Sequence, residues 1–271
     1  MRVSGAQLFG PAARRLVSPD RWTDRYPARP EYAKELDVLL SFADDQGRLP
    51  HFIPRLESKA TQRDEALNEL RVAYLLHHTQ SPVVQWEPPG ANGKVGEYLI
   101  DTPEGQHVFV EVKSPGWEGE LSDEERNAGR AKQPKYQHGE GGALANWQPL
   151  QRCIASPKTY PKFSPAQPNL LIIADDLRIP LHESLDHVEI ALYADHDRYG
   201  EMGYFTSRTF ENLAGVGVFR ALSLAFPAFH SVEYEFKLFD NPFALPSATL
   251  PDSLLKLKAN LRRTVRGTVV A

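Results

Sequence analysis

Sulfur chemistry is all but absent from this chain. Cys153 is the single cysteine among 271 residues, which excludes an intramolecular disulfide and any zinc site built on cysteine pairs, and fits a reducing, cytoplasmic setting. No apolar run approaches the roughly eighteen residues that a membrane-crossing helix needs, so no membrane partner is expected. The opening MRVSGAQLFGPAARRLV holds no continuous apolar segment, and a secretory signal is not expected. Excess positive charge is missing as well: 31 lysines and arginines face 35 aspartates and glutamates, a net −4. A protein that simply coats nucleic acid would be basic. One that gathers carboxylates around divalent cations need not be, provided basic residues cluster locally. The glycines of GANGK at 90–94 lack the spacing of a phosphate-cradling loop, His77-His78 and His182/His187 do not form an HExxH zinc pattern, and no internal repeat is present.

What remains is ordinary globular composition, with length for one large domain plus extensions or for two small ones. Residues 1–30 are rich in arginine and proline and read as an irregular arm. Pro30 opens a helical pattern, PEYAKELDVLLSFADD, with Leu36, Leu39, Leu40 and Ala43 on one stripe. Residues 47–60 read as a connector, and Thr61 with Asp64 resembles a capping box starting a helix over about 62–78. The pattern then alternates. SPVVQW (81–86) reads as a short strand, Val95–Ile100 and His107–Lys113 as a hairpin, and the polar, glycine-dotted 115–142 as a lid or disordered loop. A helix is expected around 143–156, and NLLIIADD (169–176) has the continuous apolar run of a buried, parallel strand. HVEIALYA (187–194) and SVEYEFKLF (231–239) read as strands, 208–224 mixes helix and loop signals, and PDSLLKLKANLRR (251–263) reads as a closing helix. This order predicts an α/β fold, a mixed sheet with helices on both faces. Lys256, Lys258, Arg262, Arg263 and Arg266 follow the last acid, Asp252, as a solvated helix end or a phosphate or partner contact. The expected division is an N-terminal arm and helical extension (1–60), a core (61–245) and a C-terminal basic helix and tail (246–271).

Chemistry concentrates in the hairpin GKVGEYLIDTPEGQHVFVEVKS (93–114). With Thr102 facing Gln106, Pro-Glu-Gly forms a three-residue turn with Gly105 in the left-handed position. That register sets Glu97 directly across from Glu111, with Lys113 on the same face and Val108, Val110 and Val112 on the other. Opposed carboxylates repel, and a divalent cation between them reverses the sign of that interaction. The plainer alternative is a solvent-facing strand pair in which Lys113 screens both acids. On the preceding helix, Glu69 has Ala66, Val72, Ala73 and Leu76 as its wheel neighbours, which puts it on apolar surface, while Asp64, Asn68, Arg71 and His78 mark the solvent side. A buried glutamate needs a partner. Magnesium takes one or two carboxylates and retained waters, and a lysine beside it can orient or deprotonate an attacking water, a set suited to phosphodiester hydrolysis.

Glu111-Val112-Lys113, preceded by Glu97 in KVGEYLI and Glu69 in NELRVAYLL, resembles the PD-(D/E)XK nuclease superfamily. The resemblance covers 62–114 and extends more weakly to 175, where QPNLLIIADD looks like the core strand after the second helix. It implies a restriction-endonuclease-like mixed β-sheet core flanked by helices, with a helical N-terminal extension here. It also implies an Mg²⁺- or Mn²⁺-dependent endonuclease with Glu69, Glu97 and Glu111 as metal ligands and Lys113 assisting water. Gln148, Gln151 and Arg152 are candidates for the supporting residue on the next helix, Gln151 being preferred. The implied partner is nucleic acid, DNA by resemblance, in a homodimer or a larger defence or repair assembly. Gly96-Glu97 stands where the family has Pro-Asp, and the alternative is a degraded nuclease-fold module that binds nucleic acid or a protein partner. Asp101 is a rival acid that the register sets nearer the turn. Arg126, Arg130, Lys132 and Lys135 offer phosphate contacts; Trp22, Trp86, Trp117 and Trp147 read as packing residues, with Trp117 placed to stack on a base.

Overall fold

The computed structural model describes residues 30–58, 60–114, 153–174, 188–195, 197, 202–226, 229–258 and 261–265. Among the described residues three helices come first: α1 (Pro30–Asp45), α2 (Leu49–Leu56) and α3 (Ala60–His77). The α1 stripe is as expected, with Leu36, Leu39, Leu40 and Ala43 all buried. The expected connector at 47–60 is instead mostly helix α2. Pro50 sits in its first turn, where no amide hydrogen is needed, and Phe52 and Leu56, one turn apart, are buried.

Seven strands follow: β1 (Val83–Trp86), β2 (Tyr98–Asp101), β3 (His107–Lys113), β4 (Asn169–Ala174), β5 (Gly215–Phe226), β6 (Phe229–Asp240) and β7 (Leu261–Val265). They lie side by side in chain order in one sheet. β1, β2 and β3 form an antiparallel meander; β3, β4 and β5 run parallel; β5, β6 and β7 are again antiparallel. Every residue of β4 is buried, as a parallel strand covered on both faces requires. Against one face pack α1, α2 and α3, in a core that joins Leu39, Phe52 and Leu70 to Ile100, Val110, Ile172 and Tyr234. Against the other, Phe163, Val188, Leu192 and Phe205 cover Phe109, Leu171 and Val218. The α/β mixed sheet is therefore present. α1 and α2 share one core with α3 and the sheet.

Two expected elements differ. Residues 188–193 are helical rather than a strand, since Val188, Ala191 and Leu192 are buried while Glu189 and Tyr193 face out, a period of three and four. The closing helix is only α4 (Asp252–Leu255) with a 3-10 turn to Lys258, and the chain then adds β7 to the free edge of β6. That register sets Arg262 opposite Glu235 and Thr264 opposite Glu233, and the backbone of β7 covers the edge that β6 otherwise leaves open.

The supposed solvent side of α3 is also interior. Asp64, Asn68 and Arg71 are buried, because α1 and α2 flank the helix, and of that set only His78 is exposed. Arg71 forks onto Glu35 of α1, Nε and Nη2 donating to its two carboxylate oxygens at 2.7 Å each, and the Tyr234 hydroxyl of β6 donates to Glu35 Oε1 at 2.6 Å. No helix among the described residues is long and apolar enough to cross a membrane. The expected 115–142 lid, Gln148, Gln151, Arg152, Arg266, Trp22, Trp117 and Trp147 lie outside the described residues.

Candidate active site

The turn sets the site. Thr102 N–H donates to Gln106 O at 3.1 Å and Gly105 N–H to Thr102 O at 2.8 Å, with Gly105 at φ +75°. The ladder pairs Asp101 with His107, Ile100 with Val108 and Tyr98 with Val110, the expected register, and ends there. Glu97, one residue beyond it, donates its N–H to Val110 O at 3.2 Å, which breaks the regular spacing, so the expected direct pairing of Glu97 with Glu111 is not part of the ladder. Val108, Val110 and Val112 enter the core under α3, and Glu111 and Lys113 occupy the alternate face. Asp101 stays by the turn, where its Oδ1 takes the Thr102 amide at 3.0 Å, and it takes no part in the site.

Glu111 is wholly buried. Its Oε1 accepts from Lys162 Nζ at 2.5 Å and is ion-paired with Lys113, whereas Oε2 is buried without a hydrogen-bond partner among the described residues. Lys113 Nζ also lies 3.9 Å from Glu97 Oε1. Glu69 is buried at the apolar flank of α3, as its wheel position predicts, and Arg55 of α2 holds it by two parallel bonds of 2.5 Å. Asn68 Nδ2 donates to Ser114 Oγ at 3.0 Å, tying α3 to the residue after Lys113.

Burial and the neighbouring charges of Glu69 and Glu111 push the Glu97 carboxyl up to about 8, although Lys113 and Lys162 pull the other way. For Lys113 burial opposes the charge, but Glu111, Glu97 and Glu69 outweigh it, and the ammonium ends above its usual range. Three acids thus feel one another. Among the described residues no three His, Cys, Asp or Glu side chains are gathered as a finished metal cage; Arg55 is paired with Glu69, Lys162 with Glu111, and Lys113 with both Glu111 and Glu97. The donor set still suits a hard cation: Glu111 presents one unpartnered buried oxygen beside the Glu97 acid, and magnesium accepts one or two carboxylates with water for the rest.

The expected Glu97, Glu111 and Lys113 are therefore together, Glu69 lies within electrostatic reach but is engaged by Arg55, and Gln151 lies outside the described residues. Two members went unforeseen. Arg55 sits in the stretch that reads as a connector, and its spacing of three from Phe52 is the one local signal. Lys162 ends the 3-10 turn Tyr160–Lys162, and nothing local marks it.

Packing accounts for Gly96. A Cβ there would lie 2.2 Å from Cζ of Phe109, so the ring occupies the space a proline would need. Trp86 is a packing residue as expected, edge-on to Phe52 at 5.5 Å and to Tyr98 at 5.4 Å. No family model, curated protein or solved structure matches the chain.

Proposed function

We propose that this chain is a divalent-metal-dependent nuclease with a restriction-endonuclease-like core, acting on nucleic acid and, by resemblance, on DNA. The observation that carries the reading is the buried Glu111 carboxylate, its Oε2 without a hydrogen-bond partner among the described residues, with Lys113 paired to it and 3.9 Å from Glu97 Oε1. Support for the fold comes from element order: α3 bearing Glu69, the β2–β3 hairpin bearing the other acids, and β4 beside and parallel to β3.

Glu97 and Glu111 would hold Mg²⁺ or Mn²⁺, with Glu69 joining when its Arg55 pair opens. Such an ion supplies Lewis-acid stabilisation of the phosphate charge and lowers the cost of making a nucleophile from water. The chain's own part is positional. Lys113, fixed by Glu111 and facing Glu97, presents an ammonium where an attacking water gains negative charge. Glu111 stays oriented because its strand is locked between β2 and β4. Arg55, at the site's rim, is a guanidinium that a phosphate can recruit from Glu69.

Plasmid cleavage with Mg²⁺ and with EDTA, on the wild type and Lys113→Ala, tests this. Cleavage is expected only for the wild type with metal; equal cleavage by both proteins, or none with any divalent ion, rejects the active-nuclease reading. A second reading, a degraded module that binds without cutting, is favoured by Glu97 in place of aspartate and by the cations already seated on Glu69 and Glu111. Calorimetric titration with MnCl₂ separates the two, since a degraded site takes up little or no Mn²⁺.

A further inference from the structure

We propose that Lys162 is a positioning residue of this site: its ammonium holds Glu111 Oε1, leaves Oε2 to face a divalent ion, and frees Lys113 from being that carboxylate's sole counter-ion. This deepens the nuclease reading and rests on it. Lys162 Nζ reaches Glu111 Oε1 at 2.5 Å, and Lys113 is paired with the same oxygen. Both cations on one oxygen and, among the described residues, none on the other is an oriented arrangement; an ordinary surface lysine does not produce it. The side chain is only 14% exposed.

Its delivery is built into the fold. Phe163, the next residue, packs edge-on against Phe109 at 6.2 Å, and Asn92 Nδ2 donates to Pro161 O at 2.9 Å. The turn lies directly on Gly90, where a Cβ would sit 2.8 Å from Lys162 O and 3.1 Å from the Phe109 ring. Gly90, Gly96 and Phe109 therefore form one close-packed seat that brings Lys162 over β3.

Charge shows what it does there. Once a bound cation has ionised Glu97, the three acids Glu69, Glu97 and Glu111 are matched by the three cations Arg55, Lys113 and Lys162. A divalent ion then leaves two positive charges, which a doubly negative phosphorane-like transition state neutralises. Without Lys162 one positive charge is lost, and Lys113 is drawn to Glu111 alone. Removing Lys162 therefore favours ion binding and disfavours cleavage, whereas loss of a merely structural lysine weakens both.

The test uses the full chain as wild type, Lys162→Met and Lys162→Arg, with MnCl₂ calorimetry and single-turnover plasmid cleavage at saturating Mn²⁺. Lys162→Met is expected to bind Mn²⁺ as tightly as the wild type or more so, while its cleavage rate falls about 10–100-fold, the usual effect of losing a partner that orients a ligand. Lys162→Arg should keep most of the rate. An unchanged rate in Lys162→Met, or Mn²⁺ affinity falling together with rate, overturns the assignment. If the wild type binds Mn²⁺ but cleaves nothing, the nuclease reading fails alone, and weaker Mn²⁺ binding by Lys162→Met still overturns the role given to Lys162. A wild type that binds no Mn²⁺ overturns both.

Discussion

Arg71→Met should destabilise this protein far more than Arg71→Met combined with Glu35→Leu and Tyr234→Phe. All three side chains are buried, and they join α1, α3 and β6 through bonds of 2.6–2.7 Å. Removing the guanidinium alone strands the Glu35 carboxylate in the core with one hydroxyl donor, a loss of about 3–5 kcal/mol for a broken buried ion pair. Glu35→Leu alone is expected to cost a similar amount, because it removes both carboxylate oxygens that the buried Arg71 guanidinium donates to. The triple variant removes the charges and the hydroxyl together and fills the space with apolar groups of similar volume, an exchange that is often neutral or stabilising. The coupling between positions 35 and 71 should therefore reach the upper end of the ~0.5–3 kcal/mol seen for contacting residues. Urea unfolding followed by both tryptophan fluorescence and far-UV circular dichroism gives the free energies, provided the two transitions coincide. The single variants should melt about 6–20 °C lower than wild type. Additive losses, with the triple variant worst of all, would refute the claim that the triad acts as a unit.

Two further expectations concern the site. Gly96→Ala should lower stability by about 1–3 kcal/mol, because the added methyl drives the Phe109 ring out of its packing, and Phe109→Leu in the same chain should recover part of the loss; a Gly96→Ala protein with wild-type melting temperature contradicts this. Glu97 gives a pH signature in metal-free protein: its folded-state value, raised from 4.5 to about 8, means that its contribution is fully present below about 4.5 and lost as pH rises through 8. Wild type should therefore lose stability relative to Glu97→Gln between pH 5 and 8, and a melting-temperature difference that stays flat across that range in EDTA would show that Glu97 is not perturbed as described.

Elements whose signal is local were legible. The α1 stripe, the hairpin register and the all-apolar β4 follow from periods and turn chemistry confined to a few residues each. The failures share a physical cause. β7 exists because the edge of β6 needs a partner, which no residue in 251–265 announces, and at 188–193 the β-branched Val188 and Ile190 argue for a strand where packing makes a helix. Arg71 was misplaced for a similar reason. On an isolated helix it belongs to the polar face, and only the packing of α1 across that face, with Glu35 waiting on it, turns the face inward.

The site divides along the same line. Glu97, Glu111 and Lys113 belong to one hairpin, so a single turn places all three. Arg55 and Lys162 reach their acids across 14 and 51 residues of sequence, and no local rule connects them. Their absence from a sequence reading alters the electrostatics inferred. The hairpin alone presents two facing acids against one lysine and therefore demands a divalent ion to be tolerable. With Arg55 on Glu69, Lys162 and Lys113 on Glu111, and Glu97 keeping its proton below about pH 8, no acid needs an ion to be tolerable. An ion entering this site competes with ammonium and guanidinium groups that already hold its ligands, and substrate phosphates are the natural second home for the cations displaced. Ion and phosphate binding are thereby coupled: each removes what opposes the other.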